Sequence, residues 1–586
     1  MKTNNLRYIK SFAFGALVLG LVFGNIAGAK QLFVNLNNLA PAPPFASWAT
    51  AATNIQDAVD AATGGDEVVV SNGVYQTGAT AVYGMSNRVA VTKPLFVHSV
   101  NGPAVTIIQG YQMPGTNNGP AAVRCAYLTN GAVLAGFTLK NGGTQASGDA
   151  YKQQSGGGVW CESASAVLTN CLLEANSAFY AGGAVYHGTL DKCTLAGNSA
   201  YYGGGSADGV LNNCTVVDNS AFDGGGAYRV SLNNCIVTDN FAYDKGGGAF
   251  LGLYIDSGAL VDNNLNNCFF EGNTAYSSGG AVCDFESYTN NFINNCVLTG
   301  NSANLGGGIS FFFAITTMNN CTIVNNSADS GGGVYGPYYN WMDFYSPVIL
   351  YNCIVYYNSA TNGDFSGVGF DGPSISHCCV PADFAYPDAF SVSNAPSFVD
   401  QAGGNVHLGS NSPCINAGFN AAVPGTTDFD GNPRIAGGTV DVGAYEYQSP
   451  ASTISYAWLQ NYGLLTDGSA DYLDTDNDGL NNYQEWIAGT DPTNSSSVLR
   501  LLAPLSTSSG VQITWGYSDY TARDYILLRS TNLSAPFSII SSNVFKFIAP
   551  GTIGFTDTNA TPPGPYFYRV QVQVPNTVIT PGGGSG

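Results

Sequence analysis

Residues 213–228 read NCTVVDNSAFDGGGAY, and residues 234–250 repeat the pattern as NCIVTDNFAYDKGGGAF. The shared phrase is a cysteine, an apolar residue two places later, an asparagine three places after that, an alanine two places further on, and usually a glycine-rich turn. It occurs eight times between Cys171 and Ala360, with successive cysteines 21 to 33 residues apart. A period of this length is typical of a solenoid.

The short copies contain only runs of three to five β-type residues, without a helix-length amphipathic segment. They therefore predict a parallel β-helix in which each copy is one coil. Equivalent residues would stack about 4.8 Å apart along the axis. Because side chains alternate along a strand, the cysteine and the apolar residue two places later point the same way, and we place both inside.

The stacked cysteines point the same way in register, so the torsion angle of a disulfide is hard to reach between them. We expect most of the 14 cysteines to be free, buried thiols, although an exported chain with this many cysteines also fits disulfides. The repeated asparagine is expected to form a hydrogen-bonded amide ladder at a turn. The Gly-Gly pairs fit a turn with positive φ.

Composition favours an all-β protein, and the N-terminal segment indicates export. Glycine accounts for 74 of 586 residues, charged residues for only 10%, and the net charge is −21. An acidic surface repels phosphate backbones, so we expect no nucleic-acid partner.

Residues 1–29 combine Lys2, Arg7 and Lys10 with an apolar run at 12–23 and a small-residue site, as in a signal peptide. The alternative is an N-terminal membrane anchor; no later stretch is long enough to span a bilayer.

Several stretches resemble known families of surface proteins. GGAV at 182–185 and 279–282, alternating with the cysteine–asparagine phrase, resembles the repeat of chlamydial polymorphic outer membrane proteins. SWATAA at 47–52, IQDAV at 55–59 and GDEVVV at 65–70 resemble the start of bacterial right-handed pectate-lyase-like β-helices, which implies a short helix capping the first coil. A third resemblance is to the choice-of-anchor Q segment, which closes such helices, and it rests on NSPCINAG at 411–418, DFDGNPR at 428–434 and DVGAYE at 441–446.

Residues 474–485 read DTDNDGLNNYQE, which matches the D-x-D-x-D-G-x5-E calcium loop without a gap. We expect a structural calcium ion held by the carboxylates of Asp474, Asp476, Asp478 and Glu485 and by the backbone carbonyl of Leu480. Asn482 could act through a water molecule, and a helix at 481–488 should follow. The entering side at 469–473 does not predict a helix, so the unit is similar to dockerin or thrombospondin type 3 modules. The alternative is an acidic turn that binds no metal.

From residue 498 onward, short strand-like runs separated by Ser, Asn, Pro and Gly clusters predict a β-sandwich. The closing FYRV at 567–570 resembles the last strand of fibronectin type III-like modules, and Trp515 is expected in the core. The whole chain is thus divided as follows: signal peptide 1–29; β-helix 30–447, with a cap at 30–75, coils at about 120–380 and a closing segment at 395–447; calcium-loop linker 448–497; sandwich 498–575; flexible tail 576–586.

Catalytic residues are difficult to assign, because the only cations between residues 156 and 360 are Lys192, Arg229 and Lys245. Acids stack in the repeat: Asp218 with Asp239, and Asp223 with Asp244, counted from the phrase. Each pair could form a hydrolytic pair or a calcium site, or simply a solvated column of turn residues.

An aromatic column is the stronger candidate for binding. Three residues after the asparagine the successive copies carry Phe179, Tyr201, Phe222, Tyr243 and Tyr276, and a later insertion carries Trp341. If the column faces outward, it offers a strip for stacking on sugar rings; if inward, it is internal packing.

These features predict a monomeric, exported bacterial protein, secreted or at the cell surface. We expect a non-enzymatic adhesin or glycan-binding rod whose partner is an extracellular polysaccharide or the surface of a host or neighbouring cell. The alternative is a polysaccharide lyase or glycoside hydrolase of the pectate-lyase-like class.

Overall fold

The computed structural model describes residues 29–252, 263–286, 290–336, 348–366, 374–382, 384, 390–516, 525–542, 547–549, 552–560 and 564–572. The expected signal peptide, except Ala29, lies outside these residues, as do Trp341 and the expected tail. Within the described part of the chain, no helix is long and apolar enough to cross a membrane.

Among the described residues, helices are short and few. They are α1 (Ile55–Ala61), α2 (Tyr456–Asn461) and α3 (Asn482–Ala488), with 3-10 turns at Trp48–Thr50 and Asn420–Ala422. The first is the short helix expected near the start of the β-helix, and its N-cap Asn54 accepts a hydrogen bond from the backbone N–H of Asp57.

Strands dominate the described residues. They are β1 (Gln31–Val34), β2 (Glu67–Val70), β3 (Gly73–Tyr75), β4 (Thr80–Val82), β5 (Met85–Val91), β6 (Phe96–Ser99), β7 (Thr106–Gln109), β8 (Arg124–Leu128), β9 (Val133–Ala135), β10 (Thr138–Lys140), β11 (Val159–Cys161), β12 (Val167–Thr169), β13 (Leu172–Glu174), β14 (Val185–Tyr186), β15 (Thr189–Asp191), β16 (Thr194–Ala196), β17 (Ser199–Tyr202), β18 (Ser206–Ala207), β19 (Val210–Asn212), β20 (Thr215–Val217), β21 (Ser220–Asp223), β22 (Ala227–Tyr228), β23 (Ser231–Asn233), β24 (Ile236–Thr238), β25 (Phe241–Lys245), β26 (Ala249–Phe250), β27 (Leu265–Asn266), β28 (Phe269–Glu271), β29 (Thr274–Ala275), β30 (Val282–Phe285), β31 (Asn290–Asn294), β32 (Val297–Thr299), β33 (Ser302–Leu305), β34 (Ile309–Phe312), β35 (Ile315–Asn319), β36 (Thr322–Val324), β37 (Ser327–Ser330), β38 (Val334–Tyr335), β39 (Val348–Tyr351), β40 (Ile354–Tyr356), β41 (Phe365–Ser366), β42 (Ser374–Ser376), β43 (Phe398–Asp400), β44 (Asn405–Leu408), β45 (Leu505–Thr507), β46 (Gly510–Gly516), β47 (Tyr525–Ser530), β48 (Ser538–Ser541), β49 (Phe547–Ala549), β50 (Thr552–Asp557) and β51 (Phe567–Val572).

The described residues form two compact units, of which unit 1 comprises residues 29–179 and 185–193. Its three sheets run β1-β2-β6-β9-β12-β15, β3-β7-β10-β13 and β4-β5-β8-β11-β14. Neighbouring strands pair in parallel except in the β4–β5 hairpin. Chain segments thus return to the same sheet after each coil, which is the right-handed parallel β-helix.

Unit 2 comprises residues 180–184 and the described residues from 194 onward. Its coils have four sheets: A (β19-β23-β27-β31-β35-β39-β42), B (β16-β20-β24-β28-β32-β36-β40), C (β18-β22-β26-β30-β34-β38-β41) and D (β17-β21-β25-β29-β33-β37). Each coil runs from sheet B through D and C to A. All strands in these sheets pair in parallel, so the predicted fold class is confirmed.

Repeat positions align as predicted in the interior of unit 2. In sheet B the register pairs stack buried apolar residues, namely Val216, Val237, Phe270, Leu298, Ile323 and Val355. The repeat cysteines directly before these strands are also buried. All 14 cysteines lie in the described part of the chain, and none is in a disulfide. The Cys235 thiol instead donates to the carbonyls of Leu211 and Asn233, at 3.4 and 3.3 Å.

The expected amide ladder is present in unit 2. Each side chain donates its Nδ2–H to Oδ1 of the equivalent residue in the next coil at 2.9 Å, along Asn198, Asn219, Asn240, Asn273, Asn301, Asn326 and Asn358. A second ladder, which we did not predict, joins the residues two places before the cysteines at 2.8–3.0 Å: Asn212, Asn233, Asn266, Asn294 and Asn319. Both ladders pair side-chain amides that would otherwise be costly to bury.

The segment after the coils packs against the flank of sheet B. Outward residues of that sheet, including Val297, Val324 and Ile354, share one buried apolar cluster with Ile415 and Val442. Side-chain amides of the turns between sheets A and B anchor the segment's backbone: Asn295 donates to Thr427 (3.0 Å), Asn320 to Asp441 (3.2 Å) and Asn352 to Phe419 (3.0 Å).

The C-terminal strands form the predicted sandwich. One antiparallel sheet has the order β45-β46-β50-β49 and the other β48-β47-β51. Trp515 is fully buried, as predicted, in a core that it shares with Ile513, Tyr525, Leu527 and Ile553.

Candidate functional site

The acidic loop at 474–485 has the shape of a cation site. Oxygen atoms of Asp474, Asp476 and Asp478 all lie within 4.8 Å of one another. The loop is held by its own backbone, because N–H of Asp478 donates to Asp474 (3.1 Å) and Asp476 (3.2 Å), and N–H of Gly479 donates to Asp474 (3.0 Å). Gly479 has φ +101° at the sharp turn of the loop, a backbone conformation that favours glycine.

Three buried carboxylate oxygens at this loop have no hydrogen-bond partner within the described residues: Asp476 Oδ2, Asp478 Oδ2 and Glu485 Oε2. Burial, together with the charges of Asp476 and Asp478, raises the pKa of Glu485 to about 7. Burial and the neighbouring Asp478 also raise the pKa of Asp476. Oxygen atoms converge here without a positive charge to balance them, which is the donor set that a hard cation such as Ca²⁺ prefers.

The helix that supplies Glu485 is capped at both ends. Asn481 caps the N terminus of α3 and forms a capping box with Gln484, and Gly489, which has φ +73°, caps the C terminus. The helix matches the prediction for 481–488, and no helix enters the loop at 469–473. The side chain of Asn482 has another role than the predicted contact with a water molecule. Its Nδ2 donates to the Ala470 carbonyl (2.8 Å), and its Oδ1 accepts a hydrogen bond from the Thr475 hydroxyl (2.9 Å). These two hydrogen bonds stabilise the loop and occupy both ends of the Asn482 amide, in place of a metal-bound water molecule.

The sequence did not reveal α2, which supports the same loop. Its Leu459 packs with Ile454 and with Trp486 of α3 in one apolar cluster. Gln460, at the end of α2, donates to the Asn411 carbonyl at 3.0 Å, and Thr466 donates to the Asn411 side chain at 2.5 Å. The acidic loop is therefore tied to the segment that follows the coils.

The predicted aromatic column faces outward. Its described members are exposed by 51% (Phe179), 46% (Tyr201), 37% (Phe222), 64% (Tyr243) and 70% (Tyr276). In unit 2, the rings of Tyr201 and Phe222 stack on one another, with centroids 4.9 Å apart and planes at 10°. This stacking covers part of their faces, whereas Tyr243 and Tyr276 are the most exposed rings of the column. Tyr243 makes an edge contact with Phe241 at 4.9 Å.

The stacked acids are not equivalent to one another. Asp218 and Asp239 are exposed at turns with φ +55° and +54°, which fits the solvated column of turn residues. The alignment of Asp223 with Asp244 is wrong, because a β-bulge in β25 places Lys245 opposite Asp223. One extra residue in the bulged strand shifts the register, and counting from the asparagine cannot show this.

A charge cluster of buried Asp223 with partly exposed Asp244 and Lys245 lies where sheet D turns into sheet C. Asp223 is 1% exposed; its Oδ1 accepts the backbone N–H of Lys245 at 3.1 Å, and its Oδ2 has no partner in the described structure. Lys245 Nζ contacts Asp244 Oδ2 at 2.5 Å. Burial raises the pKa of Asp223 to about 6, against the charge of Lys245. The pKa of Lys245 is lowered by burial, but Asp244 and Asp223 raise it overall.

A third charged group lies in the segment after the coils. Asp441 accepts backbone N–H groups of Asn416 (2.7 Å) and Tyr447 (2.6 Å), and Glu446 accepts those of Ala436 (2.8 Å) and Asp441 (2.9 Å). Burial raises the pKa of both carboxyl groups. The backbone N–H of Glu446 also donates to Asp428 Oδ2 at 3.1 Å. Together these hydrogen bonds connect the three stretches at 411–418, 428–434 and 441–446, so the acids hold the segment together.

Comparison with known proteins gives one family match. Residues 474–495 match the bacterial TSP3 repeat model, which covers the acidic loop and α3. No curated protein sequence matches the chain. Among solved structures, the crystal structure of pectate lyase Pel9A aligns with TM-score 0.38 and 14% identity, over 72% of this chain and 97% of that chain. A rhamnogalacturonan lyase aligns with TM-score 0.29 and 13% identity, over 60% and 87%. The catalytic domain of a GH87 alpha-1,3-glucanase in complex with nigerose aligns with TM-score 0.35 and 12% identity, over 59% and 67%.

Proposed function

We propose that this protein is an exported, non-enzymatic β-helix protein that binds an extracellular polysaccharide through its outward aromatic column. The observation that carries the proposal is the exposure of Tyr243 and Tyr276, two large rings at the same position of the repeat in successive coils of unit 2. An exposed aromatic face offers a flat apolar surface on which the apolar face of a sugar ring can stack, and a row of such rings forms a larger apolar patch than a single exposed residue does. Export rests on residues 1–29 of the sequence.

The acidic groups of the coils support binding rather than cleavage. The carboxyl oxygen Oδ2 of Asp223 is buried, so a glycosidic oxygen cannot reach it without rearrangement. Asp218 and Asp239 are exposed at turns of two successive coils. A hydrolase needs two carboxyl groups that flank a bond, and a lyase needs a base beside a cationic group.

The acidic loop has a structural part in this proposal. Asp474, Asp476, Asp478 and Glu485 would hold Ca²⁺ with their carboxylates, together with the carbonyl of Leu480. The ion would supply the positive charge that the unpartnered oxygens of Asp476, Asp478 and Glu485 require. It would stiffen the segment between the coils and the β-sandwich, because α3 carries Glu485 and packs on α2.

A glycan array with the full-length protein tests the proposal, followed by affinity measurements on each glycan found. Tyr243→Ala and Tyr276→Ala should each weaken binding by roughly 2- to 13-fold, as expected for about 0.5–1.5 kcal/mol per ring. Tyr111→Ala, an exposed tyrosine in unit 1, is the matched control and should bind as the parent does.

Two results would overturn the proposal. One is unchanged affinity of the Tyr243→Ala, Tyr276→Ala double variant for a confirmed glycan. The other is release of unsaturated uronides or new reducing ends when the parent protein is incubated with pectins, alginates or sulfated glycans, which would identify an enzyme instead.

A further inference from the structure

The first strand of the β-helix is held in one register. β1 pairs with β2 in parallel, with Leu32 opposite Val68. Leu32 and Val34 are buried whereas Gln31 is exposed, and a shift by one residue would exchange the two faces of the strand. The position of Lys30, directly before the strand, is therefore fixed as well.

A buried carboxylate lies at this position. Asp66 is 4% exposed, and its Oδ1 accepts the backbone N–H of Lys30 at 2.9 Å. Its Oδ2 accepts the N–H (2.8 Å) and the hydroxyl (2.7 Å) of Thr63, in the turn that follows α1. The Lys30 carbonyl in turn accepts the N–H of Glu67 at 2.9 Å. Residue 30 is thus held with its nitrogen against one oxygen of Asp66.

The carboxyl group of Asp66 is ionised at neutral pH. Burial raises its pKa, but hydrogen bonds from Lys30 and Thr63, together with the charge of the Lys30 side chain, lower the pKa below the ordinary value of 3.8. The three hydrogen bonds to its oxygens come from neutral N–H and O–H groups. A charged donor in place of a neutral one would form a stronger hydrogen bond with this carboxylate.

Two charged side chains close to this turn have other partners. Glu67 Oε1 lies 2.6 Å from His98 Nε2. Lys93 Nζ donates to backbone carbonyls at the end of α1, among them that of Ala62 at 2.6 Å. They leave Oδ1 of Asp66 to the nitrogen of residue 30.

From this geometry we infer that Asp66 binds a new N-terminus, which forms when the chain is cut between Ala29 and Lys30. The inference rests on the proposed export, since Ala27 and Ala29 are the small residues that a signal peptidase requires. The cut consumes one water molecule: its oxygen joins the carbonyl carbon of Ala29, the C–N bond breaks, and both water protons pass to the nitrogen of Lys30. A carboxylate is left on Ala29, and the neutral N–H at Asp66 becomes an ammonium group without movement of the strand.

The ion pair would make the mature chain, which begins at Lys30, more stable than a chain that extends further. Hydrogen bonds between charged groups are about twice as strong as those between neutral ones. The first coil would therefore be held most firmly after the signal peptide has been removed. Its terminal amine, placed against a buried carboxylate, would also be withdrawn from aminopeptidases outside the cell.

Analysis of the terminus tests the position of the cut. The full chain, exported from a bacterial host by its own residues 1–29, should begin with Lys30 in N-terminal sequencing and intact mass. Another first residue would overturn this inference while export stands. Retention of residues 1–29 would overturn it too, and in a protein that stays in the cytoplasm it would overturn the proposed export as well.

A two-by-two comparison tests the ion pair itself. Removal of a cleavable tag sets the first residue to Lys30 or to Ala29, each in the parent and in Asp66→Asn. Starting at Ala29 moves the ammonium group away from Asp66 and should lower the thermal midpoint of the parent by about 2–4 °C. In Asp66→Asn the two starts should have nearly the same midpoint. An equal dependence on the first residue in both backgrounds would overturn the inference.

Reactivity of the terminal amine gives a second measure, which needs no change at Asp66. At pH 7.5 an acylating reagent, followed by peptide mapping, should label the α-amine of the chain that starts at Lys30 several-fold more slowly than that of the chain that starts at Ala29. The reason is that the carboxylate favours the ammonium form. Lys30→Ala, which keeps the terminal ammonium and removes the side-chain charge, and Asp60→Asn, at an exposed position of α1, are the controls and should react as slowly as the parent. Equal labelling rates for the two starts would contradict the assignment.

Discussion

Glu485 accepts a hydrogen bond from the hydroxyl of Thr490 through Oε1, at 3.2 Å, while its Oε2 is buried without a partner among the described residues. Oε1 is therefore held by a hydrogen bond, whereas Oε2 has none. Glu485 is the residue at the last ligand position of the calcium-loop pattern. A buried carboxylate oxygen without a partner costs free energy, which a bound cation would recover.

Calcium should stabilise the full-length protein, and Glu485→Gln should remove most of that effect. Calcium at 100 times its dissociation constant adds about 2.7 kcal/mol to the stability of the state that binds it. Calorimetric titration and thermal unfolding, each with calcium and with a chelator, measure this. Glu271→Gln, at an exposed position of sheet B, is the control. An equal calcium response of Glu485→Gln and the parent would refute the ligand assignment.

The calcium-free loop should lose stability as the pH rises. The folded-state pKa of Glu485, about 7, lies above the ordinary value of 4.5, so the folded protein binds the extra proton between these values. Stability then falls from about pH 4.5 to about pH 7 in chelator. Calcium affinity should rise over the same range, because the ion requires the deprotonated carboxylate. Titrations at pH 5, 6 and 7.5 check both trends, and a pH-independent affinity would contradict them.

Asn240→Ala should destabilise the coils strongly. Its Oδ1 accepts both the backbone N–H (3.0 Å) and the Nδ2–H (2.9 Å) of Asn219, and these donors would be left buried without a partner. Each such group costs about 1–3 kcal/mol. Thermal unfolding measures the loss. Asn101→Ala, at an exposed position of unit 1, should have a much smaller effect, and equal effects would refute the importance of the ladder.

The thiols should be inaccessible in the folded protein. All 14 cysteines are buried and outside disulfides, so a thiol reagent should react slowly with the native chain and with 14 groups after denaturation. Thermal unfolding should also be the same with and without a reducing agent. Fewer than 14 reactive groups in the denatured, unreduced protein would show that some cysteines are paired.

Gly247→Ala should disrupt the turn between sheets D and C. A Cβ atom at Gly247 would lie 2.4 Å from the Gly280 carbonyl oxygen and 2.6 Å from the backbone of Thr274. Overpacking of this kind costs about 1–3 kcal/mol. Gly425→Ala is the matched control, since nothing lies within 4 Å of its added Cβ. Thermal midpoints distinguish the two, and equal midpoints would contradict the steric argument.

The repeat made the fold predictable, because identical residues at a fixed period can be satisfied together only by stacking. The cysteine column and the asparagine ladder followed from that single requirement. The mispairing of Asp223 with Asp244 shows the limit: the bulge depends on backbone geometry that the residue pattern does not encode. The contacts of Asn320 with Asp441 and of Asn352 with Phe419 also could not be predicted, since they join residues far apart in the chain.

The site was predictable to a similar degree. The spacing of Asp474, Asp476 and Asp478 implied their convergence, because a tight loop brings alternate residues to one side. The role of Asn482 was not predictable, because an amide side chain can form hydrogen bonds with other groups of the loop as readily as with a metal-bound water molecule. Helix α2 was missed because its six residues are too few to show a clear helical period.

The amide ladder has a consequence for how such a chain changes in length during evolution. Asn240 gives Asn273 the same bonds that it receives from Asn219, so a coil copied in tandem by gene duplication would find matching groups above and below. Loss of half a coil would instead leave the hydrogen-bond donors of one asparagine without an acceptor. Coil number can therefore change in whole units, while the exposed aromatic residues lie outside the ladder and can be substituted without breaking its hydrogen bonds.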